Sequence, residues 1–205
     1  MSSRHADAHT ALWPRFGLHV ADGDRTPLDL AALFGRTAPV VLEIGFGMGD
    51  ATAAMAAADP DRGYLAVEVH TPGIGNLLAL AGELGLTNVR VAHGDAMELV
   101  HRIAPGSLDA VHVFFPDPWP KARHHKRRLI QPSNVALLRE RLRPGGVLHC
   151  ATDWPEYAVA MAETLDADPG LERLPESPHG RPETKFERRG SAAGRPIEDL
   201  RYRRS

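Results

Sequence analysis

The stretch that decides the fold is VVLEIGFGMGDA, residues 40–51, in which a short apolar run leads into three glycines. Residues 40–44 are rich in β-branched side chains, which is typical of a buried strand. Gly45, Gly47 and Gly49 let the backbone turn tightly and approach a ligand at positions where any Cβ would clash. The stretch therefore predicts a core strand, a ligand-binding turn and the start of a helix.

The same alternation of strand and helix continues along the chain. Further strand-like runs occur at 63–69, 88–92, 108–115 and 147–152, and helical runs at 49–58, 73–84, 96–102, 134–142 and 156–166. Short apolar strands separated by helices predict an α/β fold with a Rossmann-like, doubly wound and mostly parallel sheet. The segments LERLP and IEDLRYR, at 171–175 and 197–203, are expected to close the sheet, the last as a C-terminal antiparallel strand.

The N-terminal segment sets the expected domain boundaries. Residues 1–25 show no apolar periodicity, and we expect them to form a loose arm. Thr26 and Pro27 are typical of a helix start, with Thr26 as the N-cap, and a short helix should follow as far as Phe34. At 205 residues the chain is long enough for one sizeable domain, which we expect to span residues 26–205.

Composition narrows the class of protein. One cysteine, Cys150, excludes an internal disulfide and a cysteine metal cluster. No apolar run approaches the roughly 20 residues that a membrane-spanning helix needs, and the N-terminus lacks the apolar core of a secretory signal. We expect a cytoplasmic protein with no membrane partner. We also expect no bound metal, because His124 and His125 have no acid or cysteine nearby at metal-ligand spacing.

Charge is divided unevenly along the chain. Residues 1–118 carry 7 Lys and Arg against 14 Asp and Glu, whereas residues 119–205 carry 17 against 12. An acidic half followed by a basic half suggests two different tasks, with a polyanion as the partner of the second half. An uneven scatter of surface charge is the alternative that this count leaves open.

The glycine turn excludes two phosphate-binding motifs. A dinucleotide fingerprint would need glycine at position 50, where the chain has Asp50, whose charge would repel a pyrophosphate. A P-loop would need Gly-Lys-Ser or Gly-Lys-Thr, which does not follow. An acid before G-x-G-x-G, here Glu43, is instead similar to the pattern of Rossmann-like S-adenosylmethionine (SAM) methyltransferases, whose cofactor carries a cationic sulfonium and an ammonium group.

Acidic residues follow or end four successive predicted strands: Glu43, Glu68, Asp95 and Asp117. The carboxyl ends of parallel strands meet at one edge of a sheet, where such sheets bind ligands. Glu68 is placed to accept ribose hydroxyls, and Asp95 to accept the adenine amino group. A single acid at such a position more often caps a helix, but four in register indicate a SAM site, completed by the three glycines.

The stretch FFPDPWPKARHHKRRL, residues 114–129, combines an acid, an aromatic ring and many cations. Asp117 and Trp119 lie among three prolines, and the basic run begins at Lys121. A flat, negatively charged ligand would explain these residue types together. Trp119 either stacks on a splayed base or packs as a lid over the cofactor turn. The basic run either contacts RNA phosphates or forms a solvated helix start.

Six motifs together resemble one family. They are Glu-Ile-Gly-Phe-Gly at 43–47, Val-Glu-Val-His at 67–70, Phe-Phe-Pro-Asp-Pro-Trp-Pro-Lys at 114–121, Arg-His-His-Lys-Arg-Arg at 123–128, Ala-Thr-Asp-Trp at 151–154 and Thr-Lys-Phe-Glu at 184–187. This set is similar to the bacterial tRNA (guanine-N7)-methyltransferases, from about Leu42 to Tyr202. The glycine motif is shared by many methyltransferases, whereas the proline motif with its basic tail is much more specific.

The resemblance implies a class I methyltransferase fold that uses SAM to methylate N7 of guanosine 46 in the tRNA variable loop. It implies that Glu43, Glu68, Asp95 and Asp117 contact SAM or border its methyl group, with Asp117 as the catalytic residue. It also implies contacts with the tRNA substrate for Lys121, Arg123, Lys126, Arg127, Arg128, Asp153, Thr184 and Glu187.

The chemistry fits these residue types. N7 of guanine has a free lone pair and no proton, so alignment and electrostatics can carry the reaction without a general base. Asp117 would favour the cationic purine that forms. Lys121 could donate to O6 or a phosphate, and Asp153 could accept from the guanine N1 or amino hydrogens.

Two other functions stay open. Asp117-Pro118-Trp119 is similar to the Asn/Asp-Pro-Pro-aromatic turn of amino-methyltransferases, although Trp119 stands where a second proline should be. A non-catalytic RNA-binding protein could keep the same fold, although intact acids at four strand ends argue against it. The arginine-rich arm usual in the family is not clearly present in residues 1–39, and we expect a monomer or homodimer.

Overall fold

A computed structural model describes residues 3–175, 182 and 196–205. In these residues eight strands form one sheet in the order β1-β4-β3-β2-β5-β6-β8-β7. The strands are β1 (Gly17–His19), β2 (Val40–Ile44), β3 (Gly63–Glu68), β4 (Val89–His93), β5 (Leu108–Phe114), β6 (Leu142–Thr152), β7 (Leu171–Arg173) and β8 (Glu198–Arg204). Strands β1 to β6 run parallel, and β8 is antiparallel to both β6 and β7.

Helices connect the strands and cover both faces of the sheet. They are α1 (Ser3–Phe16), α2 (Leu30–Phe34), α3 (Asp50–Ala58), α4 (Thr71–Glu83), α5 (Ala96–Arg102), α6 (Pro132–Arg141) and α7 (Pro155–Asp166), with a 3₁₀ helix at Ala122–Arg127. The predicted fold class, a doubly wound and mostly parallel sheet with a C-terminal antiparallel strand, is confirmed. No helix in the described part of the chain is long and apolar enough to cross a membrane.

The central strands are buried on both faces, which explains their continuous apolar sequences. Every residue of β2 is buried. One layer of the core lies under α2, α5, α6 and α7, and includes Leu42, Leu65 and Val111. The other lies under α1, α3 and α4, and includes Leu77 and Leu78. The strand ends that carry the acids are therefore fixed by packing from two sides.

The predicted N-cap of α2, Thr26, was wrong by three residues. Asp29 rather than Thr26 caps α2, because its side chain accepts the amide of Ala32 at 2.9 Å. The chain is not yet helical before Asp29, since Leu28 forms a parallel bridge with Ile103. A β-bridge and a helical first turn cannot use the same backbone, so the helix begins later.

The expected loose arm also differs from the structure. Within residues 1–25, α1 packs against α4, and β1 adds an edge strand beside β4. Phe16, at the end of α1, is 2% exposed and lies in the core layer under that face. The guanidinium groups of Arg15 and Arg90 lie over its ring at 4.8 and 5.8 Å. The arm is thus part of the folded core.

We predict that Phe16→Ala destabilises the protein by about 3–5 kcal/mol, because the truncation leaves a cavity between α1 and the sheet. Urea unfolding followed by circular dichroism measures this change. Thr10→Ala is the matched control, since Thr10 is exposed on the same helix and should change stability by no more than about 0.5 kcal/mol. Equal stability of the Phe16 variant and the wild type would show that the arm is loose.

Candidate active site

A cavity of about 760 Å³ opens at the carboxyl ends of β2, β3, β4 and β5. All four predicted acids line it: Glu43, Glu68, Asp95 and Asp117. The glycine turn, Phe114 to Asp117, Trp119 and Arg127 complete much of its wall. No group of three or more His, Cys, Asp or Glu in the described residues is arranged to hold a metal ion.

The glycine turn requires its glycines. Gly45, Gly47 and Gly49 have φ values of 74°, 59° and 77°, a region in which other residues are strained. Helix α4 presses against the turn, and a Cβ at Gly73 would lie 1.8 Å from the carbonyl oxygen of Gly47. Asn76, also on α4, donates its side-chain amide to the carbonyl of Met48 at 2.7 Å. The turn is therefore held from outside by one helix.

Glu68 links the turn to the start of α4. Its Oε2 accepts the amide of Gly47 at 2.9 Å, and its Oε1 accepts the amides of Val69 and His70 at 2.8 and 3.1 Å. A carboxylate has about four lone-pair sites, two on each oxygen, so Oε2 keeps capacity for one more donor. Glu68 thus orders the turn and keeps an acceptor site on Oε2 in a residue that lines the cavity.

Glu43 is the most enclosed of the four acids. It is 3% exposed, and burial raises its pKa to about 7, against a smaller opposite effect of the Thr52 hydroxyl. Its Oε2 is buried and finds no hydrogen-bond donor within geometric limits among the described residues. Glu43 also lines the cavity, and a buried carboxylate with an oxygen that lacks a donor is suited to a cationic or hydrogen-bonding ligand.

Asp95 caps a helix as well as lining the cavity. Its Oδ1 accepts the amides of Met97 and Glu98, at 2.7 and 3.2 Å, at the start of α5. Asp95 therefore has the helix-capping role that an acid after a strand commonly has. The second oxygen, Oδ2, has no partner in these capping bonds and remains for a ligand.

Asp117 lies in an unusually strained turn after β5. The residue is exposed at the cavity wall, between Phe115 and Trp119, whose φ values are 52° and 44°. Positive φ at bulky residues is uncommon and persists when surrounding contacts fix it. Phe115 donates its amide to the carbonyl of Ala151 in β6 at 2.7 Å, which anchors the start of the turn.

Trp119 joins the cavity to the basic segment, residues 121–128. The guanidinium carbon of Arg127 lies 5.0 Å from the centre of its ring, and the ring of His124 meets it edge-on at 5.9 Å. Trp119 is half-buried and lines the cavity, which favours the lid interpretation over a freely exposed stacking platform. A cation beside its ring also extends the cavity rim towards the basic segment.

Most of the basic segment faces solvent, but one residue does not. Lys121, Arg123, Lys126 and Arg127 are exposed, whereas Arg128 is 6% exposed. Its Nε donates to the carbonyl of Pro118 at 2.9 Å, so the expected contact of Arg128 with RNA is not supported by its position. A run of like charges carries no periodicity from which this burial could be predicted.

The remaining predicted substrate residues lie elsewhere. Asp153 directly follows β6, is half-buried and lies at the same edge of the sheet as Asp117. Thr184 and Glu187 lie outside the described residues. Sequence reasoning missed Gly73 and Asn76 as supports of the glycine turn, because their role depends on the angle at which α4 crosses it.

Solved structures with a similar fold define the class. An rRNA methylase from Streptococcus thermophilus superimposes with a TM-score of 0.57 at 16% identity, over 82% of this chain and 87% of that one. An aminoglycoside resistance methyltransferase superimposes with a TM-score of 0.56 at 18% identity, over the same shares of the two chains. These similarities establish the class I methyltransferase fold.

Sequence comparison then specifies the family. Residues 37–200 match the family described as "Putative methyltransferase". The tRNA (guanine-N(7)-)-methyltransferase of Streptomyces avermitilis is 54% identical over 100% of this chain and 72% of its own length. That of Halorhodospira halophila is 56% identical over 94% of this chain and 85% of its own length. The chain belongs to the tRNA (guanine-N(7)-)-methyltransferase family.

We predict that Glu43 makes the stability of the ligand-free protein fall as pH rises. The pKa of Glu43 is raised from 4.5 to about 7, so between these values the folded state binds more protons than the unfolded state. The stability cost is absent below pH 4.5, grows up to about pH 7, and reaches about 3 kcal/mol. Glu43→Gln should remove it.

Urea unfolding at pH 5, 6, 7 and 8 measures this effect as the stability difference between Glu43→Gln and the wild type. That difference should increase with pH and level off above about pH 7. Glu163→Gln, an exposed carboxylate on α7, is the control and should follow the wild-type profile. A difference that is independent of pH would contradict the burial of a titrating Glu43.

Proposed function

We propose that this protein transfers a methyl group from SAM to N7 of a guanosine in tRNA, and that the target is guanosine 46 of the variable loop. Relatives named tRNA (guanine-N(7)-)-methyltransferase support the reaction, at 54% and 56% identity over almost the whole chain. The geometric observation that carries the proposal is the meeting of an acid-lined cavity and an exposed basic segment at Trp119 and Arg127. A cationic cofactor and a polyanionic substrate would meet at that point.

The cavity fits SAM by its chemistry. Glu43 would offer its buried carboxylate to the cofactor's ammonium group, and the glycine turn, whose positive φ values favour glycine, would lie against the cofactor. Glu68 would accept the ribose hydroxyls, and Asp95 the adenine amino group through its Oδ2. When bound, SAM supplies an electrophilic methyl group on a cationic sulfonium.

Asp117 would act by electrostatics. N7 of guanine carries a lone pair and no proton, so the protein has no proton to remove from the attacking atom. Positive charge moves onto the purine during transfer, and a carboxylate held beside it stabilises that charge. The strained turn presents Asp117 at the cavity wall, and a charge held in place before the reaction would act without a cost of reorganisation.

Other residues would bind and orient the tRNA. Four exposed cations would contact phosphates: Lys121, Arg123, Lys126 and Arg127. Lys121 follows Asp117 by four residues and could instead donate to guanine O6. Asp153 would accept hydrogen bonds from guanine N1 or its amino group. Thr184 and Glu187 complete the proposed substrate site on the strength of the motif alone.

The direct test is transfer of labelled methyl from SAM to an unmodified tRNA transcript, followed by nuclease digestion and mass spectrometry of the nucleosides. The proposal predicts 7-methylguanosine at position 46 and loss of product when that guanosine is replaced by adenosine. Methyl on an exocyclic amine would indicate an amino-methyltransferase. Binding of tRNA without transfer or SAM binding would indicate a non-catalytic RNA-binding protein.

We predict that Asp117→Asn and the double substitution Arg123→Gln with Lys126→Gln affect different steps. Loss of the Asp117 charge should lower kcat by about 10²-fold, because it stabilises charge that develops in the transition state. Loss of the two exposed cations should instead raise the tRNA Kd and reduce the slope of log K against log salt by about 2.

Single-turnover assays and filter binding at several salt concentrations measure both quantities. Glu163→Gln on α7 is the control for removal of a carboxylate remote from the cavity. A wild-type kcat in Asp117→Asn would remove Asp117 from catalysis. An unchanged salt slope in the double variant would show that the basic segment is a solvated face.

A further inference from the structure

Arg128 differs from the other cations of the basic segment in its surroundings. Its side chain is 7% exposed and its guanidinium carbon lies 4.8 Å from the ring centre of Tyr157, a fully buried residue of α7. One guanidinium nitrogen pairs with Glu156 of α7 at 3.1 Å. A group enclosed by protein on these sides has little surface left for a phosphate.

A second side-chain hydrogen bond of Arg128 reaches the turn that holds Asp117. Its Nε donates to the carbonyl of Pro118, the residue directly after Asp117, at 2.9 Å. The planar guanidinium thus bridges two elements, with Nε bonded to the turn and Nη2 to α7. Arginine is suited to such a bridge because its donors point in fixed directions from one rigid plane.

The turn needs an external donor of this kind. Pro116, Pro118 and Pro120 have no amide hydrogen, so every second residue of the turn lacks the donor with which a loop usually holds itself together. Phe115 and Trp119 are also held at positive φ on either side of Asp117. Such conformations persist when neighbouring contacts fix them, and the hydrogen bond to Pro118 is such a contact.

Arg128 is itself held firmly in place. Its amide donates to the carbonyl of His125 at 3.0 Å, and its own carbonyl accepts the side-chain amide of Gln131 at 2.7 Å. The hydroxyl of Tyr157 accepts the amide of Ile130 at 3.2 Å, and burial raises the pKa of that hydroxyl to about 12. The ring that supports the guanidinium is therefore fixed to the same segment.

We propose that Arg128 is a positioning residue, which orients Asp117 for methyl transfer through the carbonyl of Pro118 and does not bind RNA. This inference rests on the proposed function. Fixing the peptide after Pro118 limits the directions that Asp117 and Trp119 can take, because the proline ring restricts the backbone between them. The basic segment then has two tasks: its exposed cations bind the substrate, and its last arginine holds the catalytic turn.

The test compares Arg128→Lys with Arg128→Gln and, as the exposed neighbour, Lys126→Gln. Lysine keeps the positive charge but loses the planar fork that reaches Pro118 and Glu156 together. A positioning role predicts that both Arg128 variants lose kcat by roughly 10-fold to 100-fold, with tRNA Kd changed by less than about threefold. Lys126→Gln should show the opposite pattern, with a larger effect on tRNA Kd and on its salt dependence.

Hydrogen exchange separates positioning from general destabilisation. In Arg128→Lys, amides of peptides that cover residues 112–121 should exchange faster, while peptides from β2 and β3 exchange as in the wild type. If Arg128→Gln does not fold, Glu156→Gln replaces it, since Glu156 is 59% exposed and its loss weakens the bridge from the solvent side. This variant should also lower kcat more than it changes tRNA Kd.

Three results would overturn the proposal: full kcat in Arg128→Lys, a raised tRNA Kd with normal kcat in the Arg128 variants, or uniform acceleration of exchange throughout the chain. Failure of the proposed function looks different. In that case the wild type itself forms no 7-methylguanosine in tRNA, whatever the exchange rates of the turn.

Discussion

A Cβ at Gly73 would lie 1.8 Å from the carbonyl oxygen of Gly47, so α4 approaches the glycine turn at a distance that glycine alone permits. That approach presses the turn onto the carboxyl end of β2. At that end of β2 Glu43 is buried, and the carboxylate of Glu68 accepts the amide of Gly47 in the turn. A larger side chain at position 73 would lift the turn and alter the environments of both acids together.

The site combines opposite charges at short range. Four carboxylates line the cavity, while Arg127 at its rim leads to exposed cations that continue away from it. Carboxylates repel phosphates and attract a cationic cofactor, whereas the cations at the rim attract phosphates and repel that cofactor. Charge alone thus directs the two proposed substrates to different parts of one surface. Trp119, with Arg127 against its ring, marks the boundary between the two regions.

Continuous apolar runs made the central sheet predictable, and β2 was predicted to the residue because a proline and a glycine bound it. The meeting of the four acids in one cavity could be predicted from the sequence, because the carboxyl ends of parallel strands lie at one edge of the sheet. Helix α1 was missed because histidines and Pro14 interrupt its apolar pattern, although Ala8, Leu12 and Phe16 recur every fourth residue. The burial of Arg128 could not be predicted, because it depends on where α7 lies.

The position of β8 inside the sheet affects how the protein can form during synthesis. β8 is the last strand in the sequence, yet it lies between β6 and β7, both of which precede it. Until Glu198–Arg204 has left the ribosome, β6 has an open edge on that side and β7 lacks the strand with which it pairs. An exposed strand edge invites pairing with other chains. The nascent protein therefore leaves the β6 edge open to pairing with other chains until β8 emerges and covers it.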